Sequence, residues 1–180
     1  MVFDGLHGCE ALDRDIFLRK LLRELSGLLQ EVVGLEDSAG FIASVGASMG
    51  RWMDDAYREH LETDALDVRA VAGVFVDLKG RLGGAFEVID LSPERIVLRN
   101  TTCPFGEMVR GRSSLCMMTS SVFGRIAADN LGYAHVELEQ TIARGDPCCV
   151  VTVNLRPPAE RHRFRKDGQE YYATRKVLRP

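Results

Sequence analysis

Gly83-Gly84-Ala85-Phe86-Glu87-Val88-Ile89-Asp90-Leu91-Ser92-Pro93-Glu94-Arg95-Ile96-Val97-Leu98-Arg99 is the stretch in which the chain changes its period. Upstream of it apolar residues recur every three or four positions. Within it, 85–89 and 95–99 alternate apolar and polar, as half-buried strands do. Asp90 to Glu94, with Pro93 in a turn position, joins the two runs into an antiparallel hairpin. The glycine pair stops the helix that precedes it.

Working back, residues 66–81 read as that helix, with Val68, Val71, Val74, Phe75 and Leu78 inward and Asp67, Arg69, Asp77, Lys79 and Arg81 outward. Asp13 to Val33 carries Ile16, Phe17, Leu21, Leu25, Leu28, Leu29 and Val32 at helical spacing and is ended by Gly34. A second helical run, Glu36 to Leu61, has Phe41, Ile42, Val45, Met49, Trp52, Met53 and Tyr57 on one broad face, with Asp37 or Ser38 to cap its start. It also holds Gly40, Gly46 and Gly50, each weakening a helix by about 0.8–1 kcal/mol relative to Ala. That penalty implies a close backbone approach, to a helix of the same chain or to a second copy.

Working forward, Asn100-Thr101-Thr102-Cys103-Pro104-Phe105-Gly106 is a loop. Ser113 to Asn130 is a fourth helix, capped by Ser113 and Ser114 and closed by Gly132, with Cys116, Met117, Phe123, Ile126, Ala127 and Leu131 on its inner face. Tyr133 to Ile142 alternates, with His135 on the solvent side. Cys149 to Leu155 is the last strand, reached through Gly145-Asp146-Pro147. The expected fold is α+β: N-terminal helices packed on a small antiparallel sheet made of two hairpins, with a crossing helix between them. Residues 1–156 form one domain, helical over 12–82 and cysteine-bearing α/β over 84–156. Residues 157–180 form a basic, flexible tail that Tyr171, Tyr172, Val177 and Leu178 dock weakly.

At 180 residues and 20.0 kDa, with 46% hydrophobic and 27% charged residues, the chain supports one sizeable core. Residues 156–180 hold eight Lys/Arg against three acids, +5, so the net charge of -3 leaves -8 on residues 1–155. An acidic body does not coat nucleic acid by charge, and no basic recognition helix is visible. No apolar run nears the roughly 18–20 residues of a membrane span, and no basic-then-apolar leader opens the chain, so the expected setting is cytoplasmic.

Five cysteines at open spacing argue for free thiols, metal binding or redox use rather than a disulfide scaffold. Side chains alternate along a strand, so Cys148 and Cys149 face opposite ways; Cys149 shares the apolar face of Val151, Val153 and Leu155. Cys103, Cys116 and Cys149 are therefore the three thiols able to converge. Cys116 lies in the first turn of a helix, whose partial positive charge lowers a thiol pKa. Thiolates select zinc, iron-sulfur clusters or cuprous copper. The competing reading is three small buried hydrophobes. Phe105, Met118 and Phe123 are the candidate walls of a hydrophobic ligand cavity. No nucleophile stands beside a general base, which favours a binding module over an enzyme.

Cys103-Pro104-Phe105-Gly106, Cys116-Met117-Met118, Asn130-Leu131-Gly132-Tyr133 and Gly145-Asp146-x-x-Cys149 together resemble the methanogen output domain family, a relative of 4-vinyl reductase-like domains, over about residues 12–156. The resemblance implies a sensory or output module of signal transduction, homodimeric, whose Cys103, Cys116 and Cys149 bind zinc, an iron-sulfur cluster or a small ligand and which signals through a regulatory partner protein. The alternatives are a reductase-like enzyme acting on a hydrophobic small molecule and a purely structural dimerisation module. Cys148 departs from the family pattern.

Overall fold

A computed structural model describes residues 13–157 and 168–174. The expectations for Val177 and Leu178 lie outside those residues. Helix α1 spans Arg14–His60, α2 Val68–Arg81 and α3 Cys116–Leu131; strands are β1 Phe86–Leu91, β2 Arg95–Asn100, β3 Tyr133–Gln140, β4 Cys149–Asn154 and β5 Gln169–Tyr172. The strands form one antiparallel sheet in the order β1-β2-β4-β3-β5, so the two hairpins meet along β2 and β4 and the fold is α+β as read. Among the described residues no helix is long and apolar enough to cross a membrane.

The two N-terminal helical runs are both present and meet at a kink within α1. Gly34 does break the helix, with φ +84° and ψ 169°, a conformation open to glycine, but helical residues resume at once beyond it. The second run resumes directly after Gly34, ahead of Asp37 and Ser38, and the buried Ser38 hydroxyl donates to the Leu35 carbonyl at 2.8 Å rather than to a helix start. Asp67 caps α2, accepting from the Ala70 amide at 2.7 Å. Ser113 and Ser114 do not cap α3: they form a short 3₁₀ turn ahead of it, and the Ser114 hydroxyl donates to Gln30 of α1 at 2.7 Å.

Helix α1 packs chiefly on α3, while α3 and α2 pack on the strands. The glycines of α1 are what permit this. A Cβ on Gly46 would lie 2.8 Å from Ser121 Cβ, and one on Gly50 2.9 Å from Arg125 Cβ and 3.2 Å from the Val122 backbone. The close approach inferred from sequence is thus to a helix of the same chain. Gly40 has open space and takes no part.

Two expectations fail on the far side of α3. His135 is only 4% exposed, because the segment entering β5 lies against it: a Cβ on Gly168 would sit 2.2 Å from the imidazole. The tail is likewise not free throughout. Residues 169–172 add the fifth strand, and the Tyr171 ring occupies the space a Cβ on Gly124 would need, at 2.1 Å, with its hydroxyl 3.0 Å from Ser120 Oγ and 3.2 Å from Ser121 Oγ.

The glycine crossing generates a contrast. Gly50→Val forces α1 off α3 and should lower stability by about 1–3 kcal/mol, whereas Gly40→Ala, with room for its methyl, should raise it by up to about 1 kcal/mol. Urea unfolding of the two variants compares them; equal and like-signed changes would mean the crossing is looser than described.

Candidate functional site

The sheet register builds the site. Asn100, at the end of β2, pairs with Cys149 at the start of β4. Its buried side-chain oxygen accepts from the amides of Ala85 at 2.9 Å and Thr102 at 3.2 Å, which turns the chain out of the sheet. Three residues on, Cys103 begins a tight turn that the Gly106 amide closes on the Cys103 carbonyl at 2.8 Å, with Gly106 at φ +59°. Cys116 enters from the first residue of α3.

Cys103, Cys116 and Cys149 line one cavity of about 30 Å³, together with Phe86, Asn100, Phe105, Thr119 and Thr141. Four cysteines, these three and Cys148, are free thiols. The Cys148 thiol points elsewhere, donating to Gln140 at 3.2 Å, so the strand alternation selects Cys149. Each of the three sulfurs has a donor aimed at it: the Phe105 amide at Cys103, the Thr141 hydroxyl at Cys116, and the Ile142 amide at 3.4 Å with the Asn100 side chain at Cys149.

Sequence reasoning placed Lys79 outward; it is 5% exposed and faces this site. Its position four residues after Phe75 and eight after Val71 puts it on the buried stripe of α2, and that spacing was the available signal. The Lys79 ammonium donates to Thr119 Oγ1 at 2.8 Å and lies 5.2 Å from the Phe123 ring centroid and 5.5 Å from that of Phe86. Burial pulls its pKa from 10.5 down to about 8, with the three neighbouring thiols resisting.

The thiols shift the other way. Burial pushes Cys116 up to about 12, reinforced by Cys149 and Cys103, and raises Cys103 and Cys149 too. The helix N-terminus was expected to lower Cys116; desolvation overrides it, since Val109, Leu115, Ile142 and Ala143 form a dry cluster beside the site. Sharing a cavity is also not coordination: among the described residues no group of three or more His, Cys, Asp or Glu side chains could hold a metal ion.

The candidate ligand walls divide. Phe105 lines the thiol cavity and also a wider apolar cleft of about 210 Å³ outside it, where Met118 stands with Leu18, Leu22, Met53, Lys79 and Val122. Phe123 lines neither; it is fully buried and stacks on Phe75 at 4.1 Å between ring centroids.

Comparison with known proteins matches the family described as methanogen output domain 1 over residues 21–154. No curated protein matches. Among solved structures, a trafficking protein particle complex subunit 3 from Naegleria fowleri, covalently bound to palmitic acid, superposes with a TM-score of 0.54 at 15% identity, covering 78% of this chain and 96% of that one. That likeness is one of fold.

Opposed titrations give the site a pH signature. The unfolded chain binds more protons than the folded one wherever Lys79 has lost its proton early, from about pH 8 to 10.5, so stability rises with pH there. Cys116 reverses this from pH 9 toward 12, where only the unfolded thiol has ionised. Denaturant midpoints of the wild type should climb from pH 8 to 9 and then turn over, while Lys79→Met stays flat before falling. A Lys79→Met protein that climbs as the wild type does would move the origin of the rise away from this lysine.

Proposed function

The chain belongs to the methanogen output domain 1 family, and on that premise we propose that it is a sensory and output module of signal transduction whose input is the cavity lined by Cys103, Cys116 and Cys149, with Lys79 beside it. The observation that carries this reading is the convergence of three thiols, remote in sequence, on one cavity beside a buried cation. A structural core needs no ammonium group among its thiols, and burying one is unfavourable unless something balances it.

The donor chemistry suits a soft metal ion, zinc or the iron of an iron-sulfur cluster. Three thiolates on a divalent ion carry a net charge of -1, and Lys79 is the cation that offsets it. As placed, no three of the described His, Cys, Asp or Glu side chains could hold an ion, so Cys103, Cys116 and Cys149 would have to draw together on loading to hold it, which would leave an open position for oxygen or a small molecule. Because burial keeps the three thiols protonated, loading releases protons, and affinity rises with pH. The loop over 101–106 that carries Cys103 is the part able to pass the change on to a partner protein. The module acts as a homodimer in this reading, a pairing supported by the apolar face that α1 leaves exposed.

A second reading is favoured by the cleft over Phe105 and Met118, whose apolar walls and Lys79 suit a hydrophobic molecule with an anionic end. The structural neighbour holds a fatty acid, although at 15% identity it speaks only for the fold.

Protein purified without oxygen should carry zinc or iron by elemental analysis. Cys103→Ser, Cys116→Ser and Cys149→Ser should each lower occupancy, and Cys148→Ser should leave it unchanged. Metal-free, folded wild type would remove the metal reading; fluorescent fatty-acid binding abolished by Met118→Glu would then establish the second.

A further inference from the structure

The N-terminal half of α1 is amphipathic in the reverse sense. Its face toward the rest of the chain is polar or small: Arg23 donates to the carbonyls of Met108 and Arg110, Ser26 is buried, Gly27 lies under Arg112, and Gln30 accepts from Ser114. Its opposite face carries Leu18, Leu21, Leu25, Leu28, Val32 and Leu35, which are 41–73% exposed. Their spacing, three and four residues in strict alternation, is the rhythm of a two-stranded coiled coil. A helix that merely covers its own chain would place polar residues there.

With Phe17 and Leu22 the stripe leaves more than four whole apolar side chains bare. It runs about 26 Å along the helix. That is on the order of the 800 Å² per partner that a stable interface buries. The Gly34 break falls between Val32 and Leu35, so the straight part of the stripe is Leu18 to Val32.

We propose that this stripe is a self-complementary seam on which α1 of a second copy lies, so that the homodimer is a two-helix coiled coil; this rests on the pairing proposed above and specifies its surface. A repeat of three and four is matched by a helix carrying the same repeat, and α1 carries it. An isologous pair covers both stripes in one contact and leaves neither bare. Leu18 and Leu22 also wall the cleft that contains Phe105 and Lys79, so the second copy closes over the approach to the thiol site. Pairing and access to the site are thereby linked.

Sedimentation equilibrium of the full chain tests this, with Leu25→Glu and Leu28→Glu as variants and Leu25→Ile as the conservative control. Both leucines are more than half exposed in one copy, so the substitutions should leave the circular dichroism unchanged. If either loses its helical signal, Val32→Glu, at the most exposed position of the stripe, replaces it. The wild type and Leu25→Ile should sediment at twice 20.0 kDa and the glutamate variants at 20.0 kDa. Their self-association should be weakened roughly a hundredfold or more. Glutamate variants that stay dimeric overturn the seam but leave the pairing. A wild type monomeric throughout the concentration range overturns both, and a second protein on the stripe would then be the occupant.

Discussion

Helix α3 is enclosed on almost every side, from Ser120 to Asn130 without a single exposed residue, and that enclosure governs the rest of the fold. A surrounded helix must find partners inside the protein for each polar side chain, because an unsatisfied buried group is destabilising by about 1–3 kcal/mol. Asn130 meets this by donating to Asp54 of α1 at 2.6 Å and accepting from the Leu66 amide at 2.8 Å. Arg125 pairs with Asp129 at 2.8 Å, and Asp129 in turn accepts from the Thr174 amide at 2.8 Å. Ser120 and Ser121 meet Tyr171. Segments more than a hundred residues apart are thus tied to one helix.

The same enclosure explains the character of the thiol site. Cys116 opens α3 where the helix enters the protein interior, so a position that would activate a thiol at a surface leaves this one protonated. Electrostatic help from a helix end or an ammonium is modest beside the loss of water. Lys79 answers to the same balance from the other direction: burial lowers its pKa to about 8, and Thr119 and two aromatic faces meet its ammonium. An ion or charged group entering such a site would have to bring compensating charge with it.

The strand alternation and the turn residues made much of this readable. The period change at Gly83-Gly84, the two hairpins, the Gly132 helix stop and the choice of Cys149 over Cys148 all follow from local rules: side chains alternate on a strand, and glycine takes a backbone conformation that others avoid. Lys79 was legible in principle, since helical spacing places it on the apolar stripe, but its charge argued for solvent. Phe123 was legible as a buried aromatic and not as core rather than cavity wall, because that distinction depends on Phe75 stacking over it.

By itself, then, the sequence determined the α+β order of elements, the breaks between them, the need for a close helix approach at Gly46 and Gly50, and which three thiols could meet. Tertiary structure alone decided that His135 is buried, that residues 169–172 return as an edge strand over Gly124, and that burial outweighs the helix end at Cys116. The first group rests on interactions within a few residues of each other. The second depends on what packs against a residue from far along the chain, and on the water that this packing removes.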